Sequence, residues 1–484
     1  MISKETCQSL IEPHFHKDLD QESYFIEKVP AQQFLTHTRF DLAFKLFYLY
    51  IRDKNKKLAT KVYKAHIKAF SLGKFTEPGN REKNSFEKFI EVFEKTFQSI
   101  QEEGFDKSKT LVPLSKNRAI ANGAHRVASA IYLNKDVYAV QLNTHDQIYD
   151  YRFFYQRDVP SPLLDIAANT FTMFADNVYI AFLWPIGIQK EYDIETVIPN
   201  IVYKKEIKLT PTGAHNLLTQ IYYEEEWLGS VENNFNGVNN KLVECFKTFD
   251  AFNVVAFQAS SLDEVLQIKE QIRQLFQVGK HSVHITDTKE EAQRVARLVF
   301  NENGIHFLNH AKPNHFLSTS RKIEQFKTFL KENNINSEDI VIDSSFVLAC
   351  YGLREAEDID YLTYKKISKP FTDINPHDEE LKYYRYEKED LIYDPQNYFY
   401  FNDIKLLSFD RVYAMKKNRG EIKDKNDCHM MESLIENNHL KKLKSQVKQK
   451  LFYFKIKSKR NIVDFLRKVG LFNMVRKVYR MIKR

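Results

Sequence analysis

The order of elements in this sequence predicts a multidomain α/β protein, and three observations carry that expectation. From Ala251 to Asp343, stretches of strand and helix character alternate, the pattern of an α/β layer with parallel strands. A chain of 484 residues has room for two or three domains, and its 43% hydrophobic and 14% aromatic content marks it as folded. The net charge of +8 is unevenly placed: residues 441–484 carry 16 Lys or Arg against one acid, Asp464, so this tail holds +15 and the rest of the chain −7. The expected units are 1–160, 161–335, 336–438 and a basic amphipathic tail, 439–484.

Taken in order, residues 38–103 read as helical. Phe86, Phe89, Ile90, Phe93, Phe97 and Ile100 recur at helical spacing, and Gly104 is a helix stop. Short strands at Leu111–Leu114 and Arg118–Ile120 lead into Asn122-Gly123-Ala124-His125-Arg126. A glycine at a strand-to-helix junction, with His and Arg in the first helical turn, offers backbone N–H groups and two cationic side chains to an anion. These residues, followed by the strand Val137–Gln141, resemble the Gly-x-His-Arg box of the ParB/sulfiredoxin-like fold. The resemblance implies a nucleotide-binding N-terminal domain in which Asn122, Gly123, His125 and Arg126 meet the phosphates and Glu77 is an upstream acid. Asn122 departs from the family, which often has Asp there. The alternative is that His125 and Arg126 cap the helix and pair with a local acid.

The central region is expected to be an α/β layer. Asn177–Trp184 and Ile201–Lys208 read as strands, and His215 as a core or capping histidine. Phe252–Phe257 is a strand, Ser261 opens a helix that runs to Phe276, and His281–Thr286 is the next strand. A helix over 288–301, a strand at Ile305–Asn309 and a helix over 321–332 follow. Lys269, Arg273, Lys280, His281 and His284 lie near strand entries, where a second anionic substrate would meet them. No His/Cys cluster has zinc spacing, and Gly279-Lys280 lacks the upstream glycine of a Walker A loop. Cys7, Cys245, Cys350 and Cys428 are scattered, as in a chain kept in a reduced cytosol, and the N-terminus has no signal-peptide core.

The richest stretch runs from Ile340 to Asp427. It reads as a helix, a glycine turn at Gly352, and a strand carrying Asp358-Ile359-Asp360. Carboxylates two apart on a strand share one face, and a cation between them relieves their repulsion; hard oxygens of this kind suit Mg²⁺ or Mn²⁺. Asp390, with Asp394 in reserve, would supply a third carboxylate from another strand-like run. Gly352 to Leu362, followed by Asp390, resembles the core of the nucleotidyltransferase fold. That resemblance implies Asp358, Asp360 and Asp390 as catalytic and metal-binding residues, with a nucleoside triphosphate or nucleotide-activated donor. The turn departs from the family, since the usual Gly-Ser or Gly-Gly is Gly352-Leu353. Gly352 and Arg354 would then contact phosphate. Lys416, Arg419 and Lys423, read as lying at the start of a helix, would do the same, the alternative being a charged, solvated helix face.

Ile462, Phe465, Leu466, Val469, Phe472, Val475, Val478, Tyr479 and Ile482 fall along one helical stripe of the tail, with Lys and Arg around it. Such a helix suits the headgroup layer of an anionic membrane, and these tails resemble the ends of bacterial cell-surface polysaccharide enzymes. The expectation for the whole chain is a bacterial capsule or lipopolysaccharide enzyme, cytoplasmic and peripheral on the inner face of the membrane. It would transfer a phosphoryl, nucleotidyl or substituted-phosphate group from a nucleotide to a sugar or lipid-linked glycan acceptor. Nucleic-acid binding in a defence protein, and a docking helix for a partner protein, are the alternatives.

Overall fold

A computed structural model describes residues 1–77, 82–185, 195–277 and 279–436, with a few residues of the tail beyond them. The chain is mixed α/β with four small sheets among these residues. The N-terminal part holds β1 (Ile2–Ser3), α1 (Lys4–Leu10), β2 (Ser23–Tyr24), β3 (Ile26–Pro30), α2 (Asp41–Ile51), α3 (Lys56–Phe70), α4 (Phe86–Glu103), β4 (Val112–Leu114), α5 (Ala124–Tyr132), β5 (Asp136–Gln141) and α6 (Tyr151–Tyr155). The central strand β5 lies antiparallel to β3 and parallel to β4. The helical expectation for 38–103 is met by three helices rather than one run. Asn55 caps α3 and Ser85 caps α4, each by accepting from a backbone N–H three residues on. Gly104, with φ of 81°, ends α4.

α2 is apolar almost all round and buried along its length except at Tyr50, so it threads the core and packs on α3, α5 and α7 (Ser161–Phe174). One hydrophobic cluster extends from Val29 to Met431, across both expected boundaries at 160 and 335. A smaller one beneath α1 joins Cys7, Phe15 and Leu111.

After α7 come β6 (Val178–Leu183), β7 (Ile201–Ile207), α8 (Pro211–Ile221), α9 (Val238–Cys245), β8 (Phe252–Gln258), α10 (Leu262–Phe276), β9 (Val283–Ile285), α11 (Lys289–Val299), α12 (Glu302–His310) and α13 (Leu317–Glu332). The expected parallel layer is corrected here: the sheet order is β7-β8-β6-β9 and every pairing is antiparallel. Two helices, α8 and α9, separate β7 from β8, so the chain re-enters from the opposite end to a single-helix crossover. The strand expected at Ile305–Asn309 is helix α12. Asn301 nucleates it by accepting from the backbone N–H groups of Asn303 and Gly304.

The last part contains β10 (Ile340–Asp343), α14 (Ser344–Cys350), β11 (Ile359–Thr363), β12 (Ile374–Pro376), α15 (Lys388–Tyr393), β13 (Tyr398–Phe401), β14 (Ile404–Leu407), α16 (Phe409–Arg419) and α17 (Ile422–Ile435). Its five-stranded mixed sheet runs β12-β11-β10-β14-β13. All four residues of β10 are buried, as its central place requires. Of the stripe expected in the tail, Val478, Tyr479 and Ile482 lie outside the described residues.

Candidate functional site

β10 and β11 are adjacent and antiparallel, and their register sets Asp343 opposite Asp360. On the other side of β11, Asp360 stands opposite Asn375 of β12. Cross-strand partners project to one face, so three neighbouring strands bring Asp343, Asp360 and Asn375 into a row, and Asp358 flanks it just before β11. His377, two residues beyond Asn375, has its N–H bonded to the Tyr361 carbonyl at 2.9 Å, and its Nδ1 lies 2.6 Å from Asp343 Oδ2.

Asp343 is fully buried, and its other oxygen accepts from the Tyr384 hydroxyl and from its neighbour's N–H, that of Ser344. Burial works against the charged form of His377, yet the Asp343 carboxylate holds its pKa above the usual histidine value. Ser344 has φ of 56° at this strand-to-helix turn, a conformation that glycine adopts freely and serine does not.

The Asp360 carboxyl is pushed up to about 6, chiefly by burial and further by Asp358 and Asp343, with His377 and Lys416 acting against the rise. The row is therefore acidic and only partly compensated. Among the described residues no three His, Cys, Asp or Glu converge to hold a metal ion unaided. Asp358 and Asp360 nevertheless fit the way Mg²⁺ is commonly held, through one or two carboxylates, waters and substrate phosphates.

The expected third carboxylate is not part of this row. Residues 388–393 form helix α15, not a strand, and Asp390 sits in its first turn. There it accepts from Asn55 Nδ2 at 2.8 Å and faces Lys57 at 3.7 Å, joining the α2–α3 turn to the C-terminal part. Asp394, at the end of the same helix, accepts from the Gln396 N–H.

The expected phosphate-binding cations have acidic partners. Lys416 and Arg419 lie near the C-terminal end of α16, not at a helix start, so the orientation read from sequence is corrected. Lys416 is buried, 2.9 Å from Asp427 and 3.6 Å from Asp424. Arg419 makes a bidentate pair with Asp424, and Arg354 makes one with Asp427. Lys423 pairs with Glu421 on the outer side. Gly352, with φ of 69°, closes α14; a Cβ there would lie 2.7 Å from the Lys312 carbonyl oxygen, so packing as well as conformation calls for glycine.

In the N-terminal part the glycine–helix junction is formed as read, but the strand expected at Arg118–Ile120 is a turn, with Arg118 at φ of 63° and a single bridge from Ile120 to Leu114. Gly123 has φ of 90° and α5 starts immediately after it. Arg126, however, turns back to Glu12 at 2.6 Å, to the Thr110 hydroxyl and to the Leu111 carbonyl, tying the α1 segment to α5. His125 Nε2 lies 2.7 Å from the Tyr63 hydroxyl and its Nδ1 is 3.4 Å from Lys83 Nζ, so both ring nitrogens have protein partners. Glu77 pairs with Lys83, and Asn122 accepts from the Gly123 N–H. Of the basic residues singled out in the central part, Lys269 pairs with Asp287, Arg273 with Glu270, and His284 with Glu291.

Protein-family models, curated proteins and solved structures were compared with the chain, and none of them matches. Sequence reading missed Asp343, His377 and Tyr384. The signal for Asp343 was present: a hydrophobic strand ending in Asp and running directly into a helix at Asp343-Ser344-Ser345. Nothing local in the sequence marks His377 or Tyr384, whose roles come from the folding back of the chain after β12.

Proposed function

We propose that this chain is a metal-dependent transferase of phosphorus-containing groups, with its reaction centre at Asp358 and Asp360. The observation that carries the reading is the row of Asp343, Asp360 and Asn375 across β10, β11 and β12, with Asp358 and His377 beside it. Asp358 and Asp360 would hold Mg²⁺ or Mn²⁺ together with the phosphates of a nucleotide donor. The metal would neutralise charge on the transferring group. Asp343, hydrogen-bonded to His377, Tyr384 and Ser344, serves as the fixed anchor of that corner instead of the third ligand first assigned to Asp390. Arg354 and Lys416 both pair with Asp427, and Lys416 lies close enough to Asp360 to act on its carboxyl.

The acceptor side of the proposal is a sugar or lipid-linked glycan at an anionic membrane surface, as in bacterial surface-polysaccharide assembly. Among the described residues no helix is long and apolar enough to cross a membrane. Ile462, Phe465, Val469, Leu471 and Met474 in the basic tail are all exposed, which supports a surface-binding role.

Native mass spectrometry of protein purified without added ligand, followed by incubation with labelled nucleoside triphosphates and Mg²⁺, tests the reading. Retained nucleotide and label transfer lost in Asp360→Asn are expected. Label transfer that persists unchanged in Asp360→Asn would reject this centre.

A further inference from the structure

An open cavity of about 710 Å³ lies between α2, α3 and α5, well separated in sequence from the carboxylate row. Its floor is built from charge. Arg39 holds Asp41 through two bonds of 2.8 and 3.0 Å, and Lys45 holds the same carboxylate at 2.9 Å. All three side chains are buried, as is His66, which is 1% exposed.

Lys45 Nζ lies 3.3 Å from His66 Nε2. An ammonium group only donates, so Nε2 accepts and a neutral His66 carries its proton on Nδ1. That Nδ1 is buried and has no hydrogen-bond partner among the described residues. A buried donor left unpaired costs about 1 to 3 kcal/mol, and an acceptor entering the cavity would remove that cost.

The charge balance points the same way. Among the described residues Arg39 and Lys45 pair with Asp41 and Lys83 with Glu77, three cations against two carboxylates around the floor. Lys17, Lys74 and Arg157 at the cavity wall outnumber Asp18 by two. Phe70, Tyr149 and Phe153 also line the cavity, with neighbouring ring centroids 5.0 to 5.1 Å apart. The cavity thus pairs a cationic floor with an aromatic wall.

We infer that the cavity binds a phosphate monoester carried on a ring, with Arg39, Lys45 and the His66 Nδ1–H as its anion-recognising groups. Sugar phosphates and nucleotides share this chemistry. Glu77, Asn122 and His125 of the Gly-x-His-Arg region also line this cavity, but the recognising groups come from the start of α2 and from α3 and do not rest on the carboxylate row, so the two proposals can fail separately.

Calorimetric titration of the full chain with glucose 6-phosphate, AMP, inorganic phosphate and the uncharged glucose and adenosine tests it. At least one of the two monoesters should bind while glucose and adenosine do not, and which monoester binds assigns the source. His66→Phe keeps a ring beside Phe44 and Phe154 but removes the donor, and should weaken binding at least tenfold. His66→Asn, whose amide nitrogen can take the place of Nδ1–H, should retain more of it. Absence of binding by both monoesters, or equal affinity in His66→Phe and the parent, would overturn the inference.

Discussion

Asp343 and Asp360 oppose one another as the last pair of the β10–β11 ladder, yet they have different partners. Asp343 accepts from Ser344 N–H, His377 and Tyr384, whereas burial and the carboxylates beside it push Asp360 up to about 6. The row therefore contains one carboxylate that the protein satisfies and one that lacks sufficient compensation. Mg²⁺ or Mn²⁺ should raise the melting temperature of the parent at neutral pH, because a ligand that binds only the folded state stabilises it by mass action. Asp360→Asn should melt at or above the metal-free parent and gain nothing from metal, a comparison that thermal denaturation makes directly.

Asp427 is the hinge of a second prediction. It is fully buried and pairs with both Arg354 and Lys416. Asp427→Asn leaves two cations short of their carboxylate partner, and breaking a buried pair from one side costs about 3 to 5 kcal/mol. Chemical denaturation should show a loss of that order, accompanied by loosening of the α16–α17 hairpin in hydrogen exchange.

A third prediction concerns acid. Burial holds His306 down to about 4, and its Nδ1 lies 2.9 Å from the Tyr351 hydroxyl, where the neutral ring accepts. The folded value lies below the ordinary 6.5, so the unfolded chain binds the proton first as pH falls. This contribution to stability is complete above pH 6.5 and is lost as pH drops toward about 4, amounting to about 2 kcal/mol after allowance for partial exposure. His306→Gln should flatten the fall in melting temperature over that window relative to the parent.

How much of this was legible in the sequence depended on whether the controlling interaction was local. α4 follows from its Phe86-Phe89-Phe93-Phe97 spacing, and the junction at Gly123 from a single glycine needed at φ of 90°. The placing of Asp360 on a strand was readable because alternation along a strand is local, whereas Asp358 lies just before β11 rather than on it. The orientation of strands in the central sheet was not, since it depends on how many helices intervene between β7 and β8. Lys416, Arg419 and Arg126 looked like phosphate ligands because sequence displays a cation without its partner. Asp427, Asp424 and Glu12 supply those partners, for Arg126 across more than a hundred residues. Asp390 failed as a strand carboxylate because its residue run, Lys388–Tyr393, is a short helix.

The tail yields a fourth prediction. Phe465 is 63% exposed and Val469 is 46% exposed, one helical turn apart, with the Val469 N–H bonded to the Phe465 carbonyl. Phe465→Asp with Val469→Asp should reduce co-sedimentation with anionic liposomes even though most of the tail's positive charge remains, because burial in the headgroup layer resists salt where charge attraction does not. Unchanged sedimentation of the double variant, with loss of duplex-DNA binding on removal of residues 439–484, would instead make the tail a nucleic-acid arm.

The central claim is that Asp358 and Asp360 hold a divalent cation with the donor's phosphates. Electron paramagnetic resonance titration of Mn²⁺, with a non-hydrolysable nucleoside triphosphate present, tests it most directly when the parent is compared with Asp358→Asn and Asp360→Asn. The account predicts a protein-dependent bound Mn²⁺ signal in the parent that each substitution weakens at least tenfold. Equal Mn²⁺ binding in all three proteins would contradict it.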